Sequence, residues 1–222
     1  MREATSTIPI VLSAGVCPIG SGLIESFNRP GGNVTGTIEG HPQLHGKQLE
    51  LLREISPGMT RVTVLGWAIG ETASRYDELQ IAAQALGLEL RIARVSTAEA
   101  LAEALAREAG ERTEAVLTLH SGFMSGQQRQ IFDFAAGRRL PAMYGNRLYA
   151  EAGGLAAYGP DLLKIHYRSA TYVDKILKGA KPADLPVEQP TTFDFIVNLK
   201  TAQALGLSIP QSVLLQATEV IQ

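Results

Sequence analysis

Apolar segments of two different periods alternate along most of the chain. Short runs rich in β-branched residues, such as "RVTVLGW" (61–67) and "EAVLTLH" (114–120), predict strands. Each is followed by apolar positions three to four residues apart, as in "ASRYDELQIAAQALG" (73–87) and "GQQRQIFDFAAGR" (126–138), which predict helices. This alternation is typical of parallel strands joined by crossover helices. We therefore predict an α/β fold with parallel sheets flanked by helices.

A glycine-rich loop lies between the first predicted strand and the helix predicted to follow it. "IPIVLS" (8–13) predicts a strand and "GSGLIESF" (20–27) a helix, with "GVCPIGSG" (15–22) between them. The glycine spacing is that of a phosphate-binding loop, but Ser21 stands where such a loop carries its Lys. Amide groups at a helix N-terminus would suit a carboxylate without a cationic side chain. We favour a ligand-facing loop, with a plain connecting turn as the alternative.

Two Pro- and Gly-rich segments divide the chain into lobes. "NRPGGNVTGTIEGHP" (28–42) and "KGAKPADLPVEQPTTFDFIVN" (178–198) interrupt the alternation. We predict a complete second α/β lobe over 41–159, and a first lobe made of 1–40 and 160–222. A ligand would then be held between two lobes that close about hinges at 37–42, 157–161 and 185–193.

The composition excludes several classes of function. The chain has 222 residues, 45% of them hydrophobic and 19% charged, with a net charge of -2. No basic cluster is present, so nucleic acid is not expected as a partner, because phosphate neutralisation needs clustered Lys and Arg. A single cysteine, Cys17, forms no internal disulfide. The start "MREATST" lacks the basic-then-apolar pattern of a signal peptide.

Candidate ligand contacts are residues at strand ends and beside the hinges, because ligands of open α/β sheets bind at the carboxyl ends of strands. They are Gly15, Val16 and Cys17 in the first loop, Glu39 and Asp161 beside the hinges, and Trp67, Ala68, His120, Ser121, Tyr144, Asn146 and Tyr158 at or after strand ends. Trp67, Tyr144 and Tyr158 would form an apolar floor, with burial in the core as the alternative. Glu39 and Asp161 could meet an ammonium group or simply be solvated.

The other polar residues are weaker candidates for a ligand or metal site. His41 and His45 have helical spacing, but Pro42 lies between them and no third ligand is near, so we predict no metal site. Arg147 and Arg168 could bind a carboxylate or pair with helix neighbours. No catalytic or dinucleotide-binding motif occurs, so we expect neither an enzyme nor a cofactor.

Several long stretches resemble the substrate-binding proteins of ABC transporters, in the type I periplasmic group that includes amino-acid and tryptophan-type binding proteins. They are "RPGGNVTG" (29–36), "GKQLELLREISPGMTRVTVL" (46–65), "RLPAMYGNRLYAEAGGLAAYGPDL" (139–162) and the run from "YVDKILKG" to "LLQATEVI" (172–221). The resemblance implies a two-lobed binding protein that delivers an amino acid or similar carboxylate to a membrane permease, in the periplasm.

The resemblance also implies that this chain lacks the signal peptide and the first βα units of the family, which would leave the first lobe incomplete. We therefore expect self-association, in a homodimer that covers "IPIVLS" or the helix "IHYRSATYVDKIL" (165–177). The competing hypothesis is an intracellular α/β enzyme or ligand-sensing regulatory module that uses the same cleft.

Overall fold

The computed structural model describes residues 5–15, 22–68 and 73–222. The predicted fold class is confirmed, because both sheets consist mainly of parallel strands flanked by helices. The chain forms two compact units, one of Met1–His41 and Pro160–Phe193 and the other of Pro42–Gly159 and Asp194–Gln222. It therefore passes from one unit to the other three times.

The second unit contains a seven-stranded sheet in the order β10-β9-β7-β6-β5-β3-β4. Its strands are β3 (Arg61–Trp67), β4 (Glu89–Val95), β5 (Ala115–Thr118), β6 (Ala142–Tyr144), β7 (Ala156–Pro160), β9 (Phe193–Asn198) and β10 (Glu219–Ile221). Strands β4, β3, β5, β6 and β7 pair in parallel, with Leu65 beside Thr118, Thr118 beside Tyr144 and Tyr144 beside Ala157. The carboxyl ends of β3, β5, β6 and β7 therefore lie along one edge.

Helices cover both faces of this sheet, and alternate residues of each strand pack in the two hydrophobic cores that form between the sheet and these helices. They are α1 (Leu44–Ile55), α2 (Ala73–Ala85), α3 (Ala98–Gly110), α4 (Gly122–Gly126), α5 (Gln128–Gly137), α6 (Arg147–Glu151), α8 (Leu199–Leu205) and α9 (Gln211–Leu214). Val62 and Val64 pack on the side of α1 and α2, whereas Leu65 packs on the side of α3 and α5. No helix in the described part of the chain is long and apolar enough to cross a bilayer.

The first unit has a three-stranded parallel sheet in the order β1-β2-β8. Its elements are β1 (Ile10–Gly15), β2 (Val34–Ile38), α7 (Leu162–Leu177), a short 3-10 helix (Pro182–Asp184) and β8 (Val187–Glu188). Gly36 has φ +119°, and a Cβ there would lie 2.2 Å from the Leu12 carbonyl oxygen. Only glycine allows β1 and β2 to approach this closely.

The boundary of the first lobe differs from the sequence prediction. Residues 160–222 were expected there, but residues 194–222 pack in the second unit. Strand β9 and strand β10 extend the large sheet beyond β7. Ala202, Leu205 and Val213 of the following helices are buried in the core on the α1 side. Burial of these apolar side chains against the larger sheet explains the different division.

The helix predicted over "GSGLIESF" is not formed at residues 22–27, the part of it that the structure describes. The Ser26 hydroxyl accepts a hydrogen bond from the Arg29 amide and donates one to the Arg29 carbonyl. Such local side-chain bonds compete with helix formation. The prediction that a helix N-terminus lies at the first loop is therefore wrong for these residues. The rest of the loop, residues 16–21, lies outside the described residues.

Candidate functional site

The candidate residues of the second unit gather at the carboxyl edge of its sheet. Trp67 ends β3, His120 and Ser121 follow β5, and Asn146 follows β6. The parallel register brings these strand ends together even though the residues are up to about eighty positions apart in sequence. These four residues therefore share one edge of the sheet.

His120 and Asn146 form a direct side-chain pair. The Asn146 Nδ2 amide lies 2.8 Å from His120 Nδ1, and Asn146 is 1% exposed. The Asn146 Oδ1 accepts a hydrogen bond from the Leu148 amide at 3.0 Å, which caps the N-terminus of α6. Because Oδ1 is used by the cap, Nδ2 is the donor to His120, and His120 Nδ1 is the acceptor. This arrangement fixes the His120 ring at the sheet edge.

Two glycines allow the strand ends to approach closely. A Cβ on Gly145 would lie 2.6 Å from the His120 Cβ, and a Cβ on Gly159 would lie 1.8 Å from the Gly145 carbonyl oxygen. No side chain fits at either position. The close packing from β5 through β6 to β7 therefore requires glycine at both, and it positions the backbone that carries His120.

An aromatic surface lies beside this pair. The rings of Trp67 and Phe123 stack with centroids 6.1 Å apart and planes 13° apart, and both residues are half-buried. The Ala68 amide donates to the Val95 carbonyl, which extends β3 by one residue beyond Trp67. Sequence reasoning missed Phe123. Its signal was its place two residues after Ser121, in the first turn of a helix that starts at a strand end.

Ser121 begins the short helix α4. Its hydroxyl accepts a hydrogen bond from the Met124 amide at 3.1 Å, as an N-cap. The Ser125 hydroxyl donates to the Ser121 carbonyl and lies 3.3 Å from the Tyr149 hydroxyl. Tyr149 in turn packs edge-on to His120, with centroids 6.2 Å apart. Ser121 remains half-buried at the edge.

Tyr144 lies in the core rather than on an exposed floor. It is 1% exposed and stacks on Tyr149 with centroids 5.2 Å apart, while Phe132 packs against it edge-on. Burial raises the pKa of the Tyr144 hydroxyl above its usual value. Strand alternation directs this side chain into the core on the α3 and α5 side. Burial in the core, the alternative considered from the sequence, therefore applies to Tyr144. Tyr144 could contact a ligand only if that core opened.

Tyr158 is half-buried against the opposite core. Its ring packs edge-on to Phe195 with centroids 6.4 Å apart, and its carbonyl accepts a hydrogen bond from the Gln48 amide at 2.7 Å. Burial raises the pKa of its hydroxyl. Alternation along β7 therefore separates Tyr158 from Tyr144, and the three predicted aromatics do not form one floor.

Two candidate residues of the first unit, Gly15 and Glu39, lie at the ends of β1 and β2. The Glu39 amide donates to the Gly15 carbonyl at 3.1 Å, so these two residues are adjacent, and Glu39 is half-buried. Val16 and Cys17 lie outside the described residues. The preceding residue, Ala14, has φ +56°, a left-handed conformation next to a register shift in β1. This irregularity lies just before the point where the candidate loop begins.

Asp161 has a structural contact. Its Oδ1 accepts a hydrogen bond from the Lys164 amide at 3.1 Å and caps α7, and its Oδ2 lies 3.1 Å from Lys164 Nζ. Burial acts to raise the pKa of Asp161, but these hydrogen bonds outweigh burial and lower it. Asp161, for which an ammonium contact and simple solvation were the two alternatives, therefore caps the start of α7.

The arginines and histidines considered from sequence also have protein partners. Arg147 forms ion pairs with Glu151, Asp194 and Glu219, which connect α6 to β9 and β10. His45 Nδ1 lies 2.9 Å from Gln48 Oε1, and His41 packs edge-on to Phe193. Across residues 5–15, 22–68 and 73–222 no group of three potential ligands is placed to hold a metal ion.

Comparison with known proteins gives consistent matches over nearly the whole chain. The profile of a family described as "ABC transporter substrate binding protein" matches residues 1–221. A tyrosine-binding protein of Clostridioides difficile is 25% identical over 207 residues, which are 92% of this chain and 59% of that protein. The chain thus spans less than two thirds of that relative's length.

Two solved structures are similar in fold and in sequence. An ABC domain in complex with L-Trp from Streptococcus pneumonia superimposes with a TM-score of 0.91 and 27% identity, over 99% of this chain and 74% of that one. A conserved domain protein from Vibrio cholerae has the same TM-score, 0.91, with 29% identity over 99% of this chain and 73% of that one.

Proposed function

Since the chain belongs to the ABC transporter substrate-binding protein family, we propose that it binds an amino acid with an aromatic side chain and presents it to a membrane permease. The observation that carries the proposal is the stacked pair of Trp67 and Phe123 beside the polar pair of His120 and Asn146. Relatives with an amino-acid ligand in their names support the ligand class. Binding, not turnover, is the proposed output.

The aromatic pair supplies the apolar part of the proposed site. Trp67 and Phe123 are half-buried, so each leaves ring surface accessible at the sheet edge. An aromatic ligand that packs on this surface removes apolar area from water and gains ring–ring contact, worth about 0.5 to 1.5 kcal/mol beyond burial. An aliphatic amino acid would lack the second contribution. The site is therefore proposed to prefer aromatic over aliphatic side chains.

Polar groups would fix the ligand's orientation. Ser121 and His120 lie at the same edge as the aromatic pair, and they can donate or accept hydrogen bonds to a carboxylate or ammonium group. In the first unit, the half-buried carboxylate of Glu39 is the proposed contact for an ammonium group, beside Gly15. Tyr144 and Asp161 are removed from the proposed contacts, because the core and the α7 cap account for them.

Transport would require that binding changes the conformation of the protein. The chain passes between its two units after His41, Gly159 and Phe193. We retain segments 37–42, 157–161 and 185–193 as proposed hinges, at which a bound ligand would shift the population towards a closed form. The proposed place of action is outside the cytoplasmic membrane, where a substrate-binding protein meets its permease.

Titration calorimetry of Trp67→Ala tests the proposed site. We expect L-tryptophan and L-tyrosine to bind the unchanged chain, and the variant to lose about 1 to 3 kcal/mol of binding free energy. Leu215→Ala is the matched control, because Leu215 is an exposed apolar residue of the same unit, 77% accessible. Equal affinities for all three proteins would show that the ligand does not use Trp67.

A further inference from the structure

The hydrogen bond between Asn146 and His120 fixes which nitrogen of the His120 ring carries the proton. Asn146 Oδ1 accepts from the Leu148 amide at 3.0 Å, so the Nδ2 amide is the group that faces His120 Nδ1 at 2.8 Å. A neutral imidazole ring has one donor nitrogen and one acceptor nitrogen. Because Nδ1 accepts from Asn146, the proton of the neutral ring lies on Nε2.

Two further contacts hold the His120 ring in one orientation. Tyr149 packs edge-on against it, with centroids 6.2 Å apart and planes 87° apart. Tyr149 is itself 1% exposed and stacks on Tyr144, so the core holds it in place. The backbone of His120 also lies so close to Gly145 that a Cβ there would be 2.9 Å from the His120 amide nitrogen. The Nε2–H donor is therefore presented in a fixed direction.

This donor points away from strand β6. The two nitrogens face different sides of the imidazole ring, so the Nε2–H bond is directed away from Asn146, which follows β6. Strand β5 lies between β6 and β3 in the sheet. Trp67 ends β3, and its ring stacks on Phe123. The donor is therefore directed towards the side of β5 on which this aromatic pair lies.

Ser121 supplies a second donor beside His120. Its hydroxyl oxygen accepts a hydrogen bond from the Met124 amide at 3.1 Å, so its own proton is left to donate. The side chain is half-buried at the start of α4, and Phe123 lies in the same turn of this helix. Two consecutive residues thus offer hydrogen-bond donors next to the aromatic pair.

We propose that His120 Nε2–H and the Ser121 hydroxyl together bind the carboxylate of the amino acid. This inference rests on the proposed function and deepens it, since it assigns the ligand group that these side chains meet. A carboxylate has only acceptors, and its charge strengthens the hydrogen bonds it receives. An ammonium group has only donors, so its protons would face the Nε2 proton. The site therefore requires a ligand that carries a carboxylate at this end.

The nearby arginine is committed to other carboxylates. The Arg147 guanidinium forms ion pairs at 2.8, 3.4 and 2.7 Å with Glu151, Asp194 and Glu219. These contacts raise the pKa of Arg147 above its usual value, with the hydrogen bond to Glu151 as the largest cause. The ligand carboxylate is therefore bound by the neutral donors of His120 and Ser121, and Asn146 is a positioning residue that acts through His120.

Titration calorimetry with two kinds of ligand separates a carboxylate contact from a structural role. L-Tryptophan and L-tyrosine are each compared with their amides, which keep the ring and the amino group but lack the carboxylate. We expect the unchanged chain to bind the amino acid at least about tenfold more tightly than its amide, because hydrogen bonds to a charged group are lost. His120→Leu should weaken the amino acid by a similar factor and leave the amide nearly unchanged. His120→Gln keeps an acceptor for Asn146 and a donor for the ligand, so it should retain most of the affinity.

Two control variants show which half of the ligand is affected. Trp67→Ala should weaken the amino acid and its amide by the same factor, since it removes only ring contact. His166→Leu should change neither, because His166 is an exposed histidine of the first unit. Equal losses of both ligands in His120→Leu, or no loss of the amino acid, would overturn this inference while the proposed function stands. Failure of the unchanged, folded chain to bind either amino acid would overturn both.

Long-range ¹H–¹⁵N NMR reads the position of the proton directly. At about pH 8, where imidazole rings are ordinarily neutral, the His120 signals should show a protonated Nε2 and a bare Nδ1. Their absence from the His120→Gln spectrum identifies them. Asn146→Asp keeps the α6 cap through one oxygen and sets the other against Nδ1, so it should place a proton on Nδ1. A proton on Nδ1 in the unchanged chain, or a bare Nδ1 in Asn146→Asp, would contradict the positioning role of Asn146.

Discussion

The amide of Asn146 donates a hydrogen bond to His120 Nδ1 across 2.8 Å, between residues that follow two adjacent strands. The same Asn146 side chain caps α6 through its Oδ1. One buried side chain thus connects the end of β5 to the start of a helix that follows β6. The candidate site is built on this connection, since it positions both His120 and the backbone around Gly145.

Substitution of Asn146 separates its two contacts. Asn146→Ala should lower the free energy of unfolding by about 1 to 3 kcal/mol, because it removes a helix cap and a buried hydrogen bond. Asn146→Ser should recover part of this loss, since Ser can cap the helix but does not carry the amide that reaches His120. Urea denaturation measures both. Equal stability of the Ala variant and the unchanged chain would show that the pair contributes nothing.

The close approach of β6 and β7 predicts a strong effect of a single methyl group. Gly159→Ala should destabilise the protein by at least about 1 to 3 kcal/mol, because its Cβ would overlap the Gly145 carbonyl oxygen. Gly58→Ala is the control, since a Cβ at Gly58 would have no atom within 4 Å. Thermal unfolding should separate the two variants clearly. Similar midpoints would contradict the described packing.

Tyr144 should behave as a core residue. Tyr144→Ala is expected to cost about 3 to 5 kcal/mol of stability, through the loss of its stacking on Tyr149 and of a filled volume. Tyr144→Phe keeps the ring and should retain most of the stability. Denaturant titration of the two variants measures the difference. A Tyr144→Ala variant that folds normally but loses ligand would instead restore Tyr144 as a ligand contact.

The alternation of strands and helices was predictable because each element carries its own period. "RVTVLGW" coincides with β3, and the following helix begins at Ala73 as predicted. The direction of individual side chains was less predictable. Tyr144 and Trp67 both end strands, but the alternation of side chains along β6 directs Tyr144 into the core on the α3 and α5 side. Which side chains face that core depends on the residue at which strand pairing begins.

Other features were not predicted from the sequence because they depend on contacts that a local pattern does not show. The placement of residues 194–222 in the second unit depends on β9 lying beside β7 in the sheet, which no local pattern encodes. At "GSGLIESF", the helical period was present, but the hydroxyl of Ser26 bonds the backbone of Arg29 and stabilises a turn instead. The contact between Trp67 and Phe123 likewise joins residues from separate βα units.

The ion pair between Glu188 and Arg168 predicts a pH dependence of the first unit. Hydrogen bonds from Arg168 lower the pKa of Glu188 below its usual value. A carboxylate with a lowered folded pKa adds stability above its unfolded pKa, about 4.3, and this stability is lost as the pH falls through the folded value. Glu188→Gln should therefore destabilise the protein near neutral pH, and this loss of stability should shrink as the pH falls below the unfolded pKa.

Thermal unfolding over this pH range, with Glu103→Gln as the control, checks that prediction. Glu103 is an exposed carboxylate of α3 in the other unit. The effect of Glu188→Gln is expected to be modest, because the Glu188 side chain is 35% exposed and water screens the pair. A loss of stability that is the same at every pH would mean that packing of the side chain, rather than its charge, is responsible.

Native mass spectrometry of the purified chain with a mixture of the common amino acids tests the central claim most directly. The account predicts that each protein chain retains one amino acid, and that this amino acid is one of the aromatic members of the mixture. The fraction of protein in the complex should be lower for Trp67→Ala. Retention of a non-aromatic amino acid would contradict the proposed role of Trp67 and Phe123. The absence of any amino-acid complex from the unchanged, folded chain would contradict the proposed function itself.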